Sequence, residues 1–199
     1  MKRISAVVMA AGMSKRMGTP KMLLRWKNST VIATVLNTLA QSGVEEIIVV
    51  TGGDRVAVEE ELLSCPIKVR ALYNENFRNG EMTDSIRIGI SGLTQKSDAS
   101  LIVLGDQPQV PLTIIRQLIA EYQRAGNALI VPSYKMRRGH PWVVDRSLWE
   151  DLKILSSAFT MRDFLNKHKD KIHYLVVDTP EILADLDTPE DYALAHPED

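Results

Sequence analysis

The sequence predicts a three-layer α/β fold, with a mainly parallel, mixed sheet between helices, and three observations carry that expectation. Short apolar runs rich in Val and Ile recur along the chain, segments of helical periodicity separate most of them, and glycine or proline stands at many of the joints. Such runs are too continuous for half-buried strands and too short for helices, so they read as strands buried on both faces. In a sheet of that kind a ligand lies beyond the carboxyl ends of the strands.

Residues 4–9 form the first strand, which breaks at Ala10-Ala11-Gly12 into Met13-Ser14-Lys15-Arg16-Met17-Gly18-Thr19-Pro20-Lys21. Gly12 and Gly18 allow backbone angles closed to other residues and let main-chain N–H groups approach an anion, while Lys15, Arg16 and Lys21 supply charge. This is the chemistry of a phosphate site, and it implies a polyphosphate substrate. A Walker loop would need Lys-Ser or Lys-Thr directly after the second glycine, where Thr-Pro-Lys stands; a dinucleotide fingerprint would need glycine in place of Ser14. A plain turn with basic decoration is the alternative.

Val31, Ile32, Val35, Leu36 and Leu39 line one helical face behind an N-capping Ser29 or Thr30, and Gly43 is expected to end that helix. Strands follow at 46–50 and 69–73. The stretch from Asn74 to Ser85 then leads into a helix carrying Ile86, Ile90 and Leu93; its amide, hydroxyl and glycine donors suit recognition of a base or ribose. Asp84 there reads either as an added negative charge or as a helix cap, and Met22 and Met82 read as packing.

The strand at 101–104 ends in Gly105-Asp106-Gln107-Pro108, which places Asp106 in the expected crevice. A carboxylate at a strand end is a hard ligand suited to magnesium, the natural partner of a triphosphate; a turn aspartate bonding its own backbone is the alternative. Ile114, Ile115, Leu118, Ile119 and Tyr122 repeat a helical face before Gly126, and strands at 129–131 and 142–144 flank the basic turn Arg137-Arg138-Gly139-His140-Pro141. His140 reads as a substrate contact or as a residue that holds the loop. Thr160 caps a helix whose Met161, Phe164 and Leu165 face inward and whose Arg162 is exposed. After a last strand at 174–177, Asp185 and Asp187 point to one side of an extended segment, and Thr188-Pro189 with Asp191 opens a final helix.

The whole chain bounds these readings. Its 199 residues suit one domain, 1–199, and 45% hydrophobic with 25% charged residues excludes wholesale disorder. A net charge of −1 implies no general attraction to nucleic acid or to an anionic membrane, and no apolar stretch approaches a bilayer's thickness. The only cysteine, Cys65, has no partner for an internal disulfide and no histidine nearby; the cytoplasm is the expected compartment.

The first loop resembles the signature of the MobA-like nucleotidyltransferases, a Leu-Ala-(Ala/Gly)-Gly-x-Ser-x-Arg-Met-Gly-x-x-Lys pattern that wraps a nucleoside triphosphate, with Met9 in place of the leucine. Gly105-Asp106-Gln107-Pro108 and Asp185-Leu186-Asp187-Thr188-Pro189-Glu190-Asp191 are similar to two further motifs of that family, so the resemblance spans residues 4–192. It implies a Rossmann-like nucleotidyltransferase fold. It also implies a nucleotide held by Ala10, Ala11, Gly12, Ser14, Lys15, Arg16, Met17, Gly18, Lys21, Gly80, Ser85 and Asp106; catalytic roles for Lys21, Arg16 and Asp106; and Mg2+ on Asp106, on Asp187 and, second to it, on Asp185. The Ala-Ala-Gly form is similar to the molybdenum cofactor cytidylyltransferase branch, which implies CTP as donor, molybdopterin as acceptor, contacts from Arg138, Gly139, His140 and Arg162, and a molybdenum hydroxylase of the xanthine dehydrogenase type as recipient. One departure bears on the base and acceptor: family members often read Glu-Gly-Met-Ser-x-Ser where this chain has Gly80-Glu81-Met82-Thr83-Asp84-Ser85. Other readings are a guanylyl or sugar-1-phosphate nucleotidyltransferase, a non-catalytic delivery chaperone for the cofactor, and a glycosyltransferase using Asp185 and Asp187.

Overall fold

The computed structural model describes residues 2–79, 81–154 and 160–196. In chain order the elements are β1 (Ile4–Ala10), β2 (Arg25–Trp26), β3 (Ser29–Thr30), α1 (Val31–Ala40), β4 (Ile47–Thr51), α2 (Arg55–Ser64), β5 (Arg70–Tyr73), α3 (Met82–Gly92), β6 (Ala99–Leu104), α4 (Leu112–Ala125), β7 (Leu129–Tyr134), β8 (Arg137–Arg138), β9 (Trp142–Asp145), α5 (Trp149–Lys153), α6 (Met161–Lys167), β10 (Ile172–Val176) and α7 (Pro189–Ala195). Strand order in the main sheet is β10-β7-β9-β6-β1-β4-β5, with β8 on β7. The pairs β1–β4, β1–β6, β4–β5 and β7–β10 are parallel, whereas β9 runs against both β6 and β7.

Alternation along β1 shows how the sheet divides the core. Ile4, Ala6, Val8 and Ala10 face the layer of α1, α2 and α4, while Val7 and Met9 face α3, α5 and α6. Each fully buried Leu or Ile on these faces, such as Leu36 and Ile86, contributes about 1.5–3 kcal/mol of transfer free energy. A third cluster joins Trp26, Val31 and Leu186, with Tyr192 and Ala195 of α7 packed against it. It ties the segment after the first loop to the segment carrying Asp185 and Asp187.

All seven expected strands form, and the last starts earlier than expected, at Ile172. The cap of α1 is Thr30, whose hydroxyl accepts from the Ala33 N–H. That helix stops at Ala40, before Gly43; Gly43 takes a left-handed φ of +94° in the turn that follows. Gly126 is the left-handed cap of α4, and Thr160 and Thr188 close capping boxes with Asp163 and Asp191. Among the described residues no helix is long and apolar enough to cross a membrane.

Candidate active site

Parallel strands β1, β4, β5 and β6 deliver their carboxyl ends to one rim, and the loops that leave them build the site. The β1 loop is folded around Ser14. Its carbonyl accepts from Met17 N (3.0 Å) and Gly18 N (3.1 Å), its hydroxyl accepts from Lys21 N (3.0 Å), and its φ is +48°. The N–H groups of Met17 and Gly18, expected to face a nucleotide, therefore point into their own loop. Gly18 has the left-handed φ anticipated, +70°, but Gly12 does not, and a side chain at Gly12 would meet nothing; the close approach falls instead at Gly52, where a side chain would collide with the Ala11 carbonyl.

A short 3-10 turn, Lys21–Leu23, then aims Lys21 back across the rim. Its ammonium bonds Asp106, at the end of β6, and Asp187 at 3.2 Å; Arg16 reaches Asp187 from the solvent side at 2.7 Å. Lys21 and Asp106 are nearly enclosed, with side chains 12% and 13% exposed, whereas Arg16 is 68% exposed. Burial would lower the lysine's pKa, yet the two carboxylates outweigh it and hold the ammonium above its ordinary range. Burial likewise opposes ionisation of Asp187, and Lys21 with Arg16 reverses this and lowers its pKa. Asp185 lies apart from this pairing: its carboxylate accepts from the Gln107 amide (2.8 Å), and desolvation together with the Asp106 charge pushes its pKa up.

Two clefts meet at Lys21 and Asp187. One, about 280 Å³, is lined by Gly12, Met13, Ser14, Lys15 and Arg16 and has the character of a phosphate site. The other, about 320 Å³, runs past Ala11 and Asp106 to Asn74, Phe77, Met82 and Ser85, and suits a nucleoside. Ala10, in contrast, ends β1 buried in the core. Asn74 is buried at the tip of β5, donates to the Ser85 hydroxyl at 2.8 Å and takes the Asn76 N–H on its carbonyl. Asp84 caps nothing: it sits in the first turn of α3 and pairs with Arg87 at 2.6 Å. Met82 is 43% exposed and lines the cleft, and Met22, though buried against Gly105, reaches it as well. Packing alone does not describe either methionine. Gly80 lies outside the described residues.

The expected acceptor contacts divide. Gly139 packs so closely on the Ile182 carbonyl that a side chain would collide with it, and His140 N donates to that same carbonyl at 3.0 Å. The His140 ring stacks on Trp142 at 4.4 Å, and burial lowers its pKa to about 4, so it is neutral near pH 7. Arg138 turns to the Tyr174 hydroxyl at 2.9 Å. These three residues brace the chain leading to Asp185 and Asp187 and are absent from the walls of the two clefts. Arg162 is different: with Thr160 and Met161 it lines a hollow that shares Glu81 and Met82 with the nucleoside cleft.

Asp106 and Asp187 are hard oxygen donors converging on one cation, the Lys21 ammonium, and this donor set fits a divalent ion that takes its remaining ligands from substrate phosphates and water. Among the described residues no three Asp, Glu, His or Cys side chains gather into a cage that would hold an ion unaided.

Comparison with known proteins bears on the family of this chain. Over 196 residues the chain is 26% identical to the molybdenum cofactor cytidylyltransferase of Escherichia coli strain K12, covering 98% of this chain and 96% of that one. It is 29% identical over 152 residues to the nicotine blue oxidoreductase of Paenarthrobacter nicotinovorans, covering 73% and 72%. The crystal structure of Rv0371c from Mycobacterium tuberculosis H37Rv superposes with a TM-score of 0.84 at 27% identity, over 98% of this chain and 97% of the other; its manganese complex gives 0.80 at 25%, over 98% of each. Residues 6–172 match the model of the MobA-like NTP transferase domain, and the chain belongs to that nucleotidyltransferase family.

Proposed function

We propose that this protein transfers CMP from CTP to the terminal phosphate of molybdopterin, as a magnesium-dependent cytidylyltransferase. The observation that carries this reading is the enclosed Lys21 ammonium, held by Asp106 and Asp187 where the phosphate-like and nucleoside-like clefts meet. An α-phosphate bridging the two clefts would lie beside it.

An acceptor phosphate oxygen attacks the α-phosphorus, a new P–O–P bond forms, the α–β bond breaks, and pyrophosphate leaves with the electron pair. The attacking group is already an oxyanion, so the site needs positioning and charge neutralisation more than a base. Lys21 stabilises the charge that grows on the α-phosphoryl oxygens, and Arg16 with Lys15 of the same loop receives the pyrophosphate. Asp106 and Asp187 would hold the magnesium, which when bound would supply Lewis-acid neutralisation of phosphate charge. Asp185, held by Gln107, is a weaker ligand candidate. Arg162, which lines the hollow adjoining the nucleoside cleft at Glu81 and Met82, would contact the acceptor's phosphate.

Cytosine is supported by the Ala10-Ala11-Gly12 form of the loop and by the E. coli relative; the acceptor and a molybdenum hydroxylase recipient rest on the same likeness. The second relative is named for a different activity, an oxidoreductase, and the reading here rests on the relative covered nearly end to end. The test is pyrophosphate release from CTP, GTP, ATP and UTP with molybdenum-loaded molybdopterin and magnesium, beside an Asp106→Ala control. Release with CTP, lost in the control, supports the proposal. Tight nucleotide binding without release would overturn it in favour of a delivery role.

A further inference from the structure

The turn between β4 and α2 is pressed against the phosphate loop. Gly52 has no room for a side chain beside the Ala11 carbonyl, and Gly53 N donates to that carbonyl at 3.3 Å. The next residue, Asp54, stands at the N-cap of α2, where an aspartate side chain ordinarily accepts an N–H from the first turn and stabilises the helix. Asp54 makes no such bond. Its carboxylate instead accepts the Ser14 hydroxyl proton at 3.1 Å. Because that hydroxyl donates to Asp54, its lone pair is fixed toward the Lys21 N–H, 3.0 Å away. Asp54, Ser14 and Lys21 thus form one directed chain of hydrogen bonds, and Ser14 is also the residue whose carbonyl closes the loop onto Met17 and Gly18.

We propose that Asp54 is a positioning residue for Lys21: through the Ser14 hydroxyl it sets the turn from which the Lys21 side chain reaches Asp106 and Asp187, and α2 goes without its side-chain cap so that this can happen. A hydroxyl with no acceptor can rotate, and its lone pair then leaves the Lys21 N–H. The role concerns the site assigned above and rests on that assignment only for its kinetic consequence.

Two measurements on wild type, Asp54→Ala, Asp54→Asn, Asp54→Ser and Ser14→Ala test it. In the transfer assay, Asp54→Ala should lower turnover at least tenfold while the CTP dissociation constant moves less than threefold. Asp54→Asn, whose amide oxygen accepts the same proton, should recover most of the loss. Adding Asp54→Ala to Ser14→Ala should cost little more. Asp54→Ser keeps a residue that caps helices, so lost turnover at an unchanged melting temperature in this variant separates the relay from damage to α2. The second measurement needs no catalysis: competitive acetylation of Lys21, read by mass spectrometry. Lys21 should label several-fold faster in Asp54→Ala than in wild type, with Asp54→Asn close to wild type. Unchanged labelling in Asp54→Ala, or an Asn variant as impaired as Ala, would overturn the relay. A wild-type protein that transfers no nucleotide but shows the labelling pattern would overturn the proposed reaction and leave the relay standing.

Discussion

Lys21 has its ordinary cationic form reinforced by two carboxylates, and it is nearly closed off from water, so the field it exerts is little screened. A charge placed for the developing transition state affects turnover more than ground-state binding. Lys21→Ala should lower kcat by about 10²–10³-fold, the loss typical of one preorganised electrostatic group, with CTP affinity within about threefold of wild type by calorimetry. Equal losses in both would assign Lys21 to binding alone. The lysine and the aspartates were legible in the sequence because they sit in short motifs with fixed spacing. Ser14, expected at the nucleotide, lines the phosphate-like cleft and also holds the loop, a second role visible only once Met17, Gly18 and Lys21 are folded around it. Asn74 stood in a stretch read for base or ribose recognition, but its bond to Ser85, like that of Gln107 to Asp185, joins residues 11 and 78 positions apart and was not legible.

At the scale of elements, the turn from β8 to β9 is an acceptor contact on the family resemblance, while its residues alone allow His140 either to meet substrate or to hold the loop. In the fold Gly139 and His140 pack on Ile182 and Arg138 turns to Tyr174, and the burial of neutral His140 has a consequence for stability. Its folded pKa of about 4 lies below the ordinary value near 6.5, so the unfolded chain binds the extra proton first. The resulting stability is complete above pH 6.5 and is lost as pH falls toward 4, by up to about 3 kcal/mol. Denaturant titrations across that window should show the loss, and His140→Phe should flatten it; an unchanged slope would place the proton elsewhere. Leu186 makes the corresponding point for the aspartate segment. It is fully buried with Trp26 and Val31, between two aspartates that both line the nucleoside cleft. Leu186→Ala should destabilise the fold by about 2–5 kcal/mol. A change under about 1 kcal/mol in the urea midpoint would contradict its role as the pin of this segment.

For the whole molecule, the alternation of apolar runs with helical faces was enough to anticipate a layered, mainly parallel sheet, because strands buried on both sides leave an unbroken apolar record. The reversed β9 and the two-residue strands left no such record, since their pairing is decided by where long-range neighbours fall. What the topology achieves is convergence: loops from β1, β4, β5 and β6 reach one rim, and the third cluster, around Trp26 and Leu186, swings the C-terminal aspartates onto it. On the proposed function, this rim breaks the α–β bond of a nucleoside triphosphate and joins the α-phosphate to an acceptor. The most direct measurement is a single turnover with CTP labelled at the α-phosphorus, magnesium and molybdenum-loaded molybdopterin. Label should appear in an acceptor-linked diphosphate, one for each pyrophosphate released. Label recovered as free CMP, or retained in CTP while nucleotide stays bound, would contradict it.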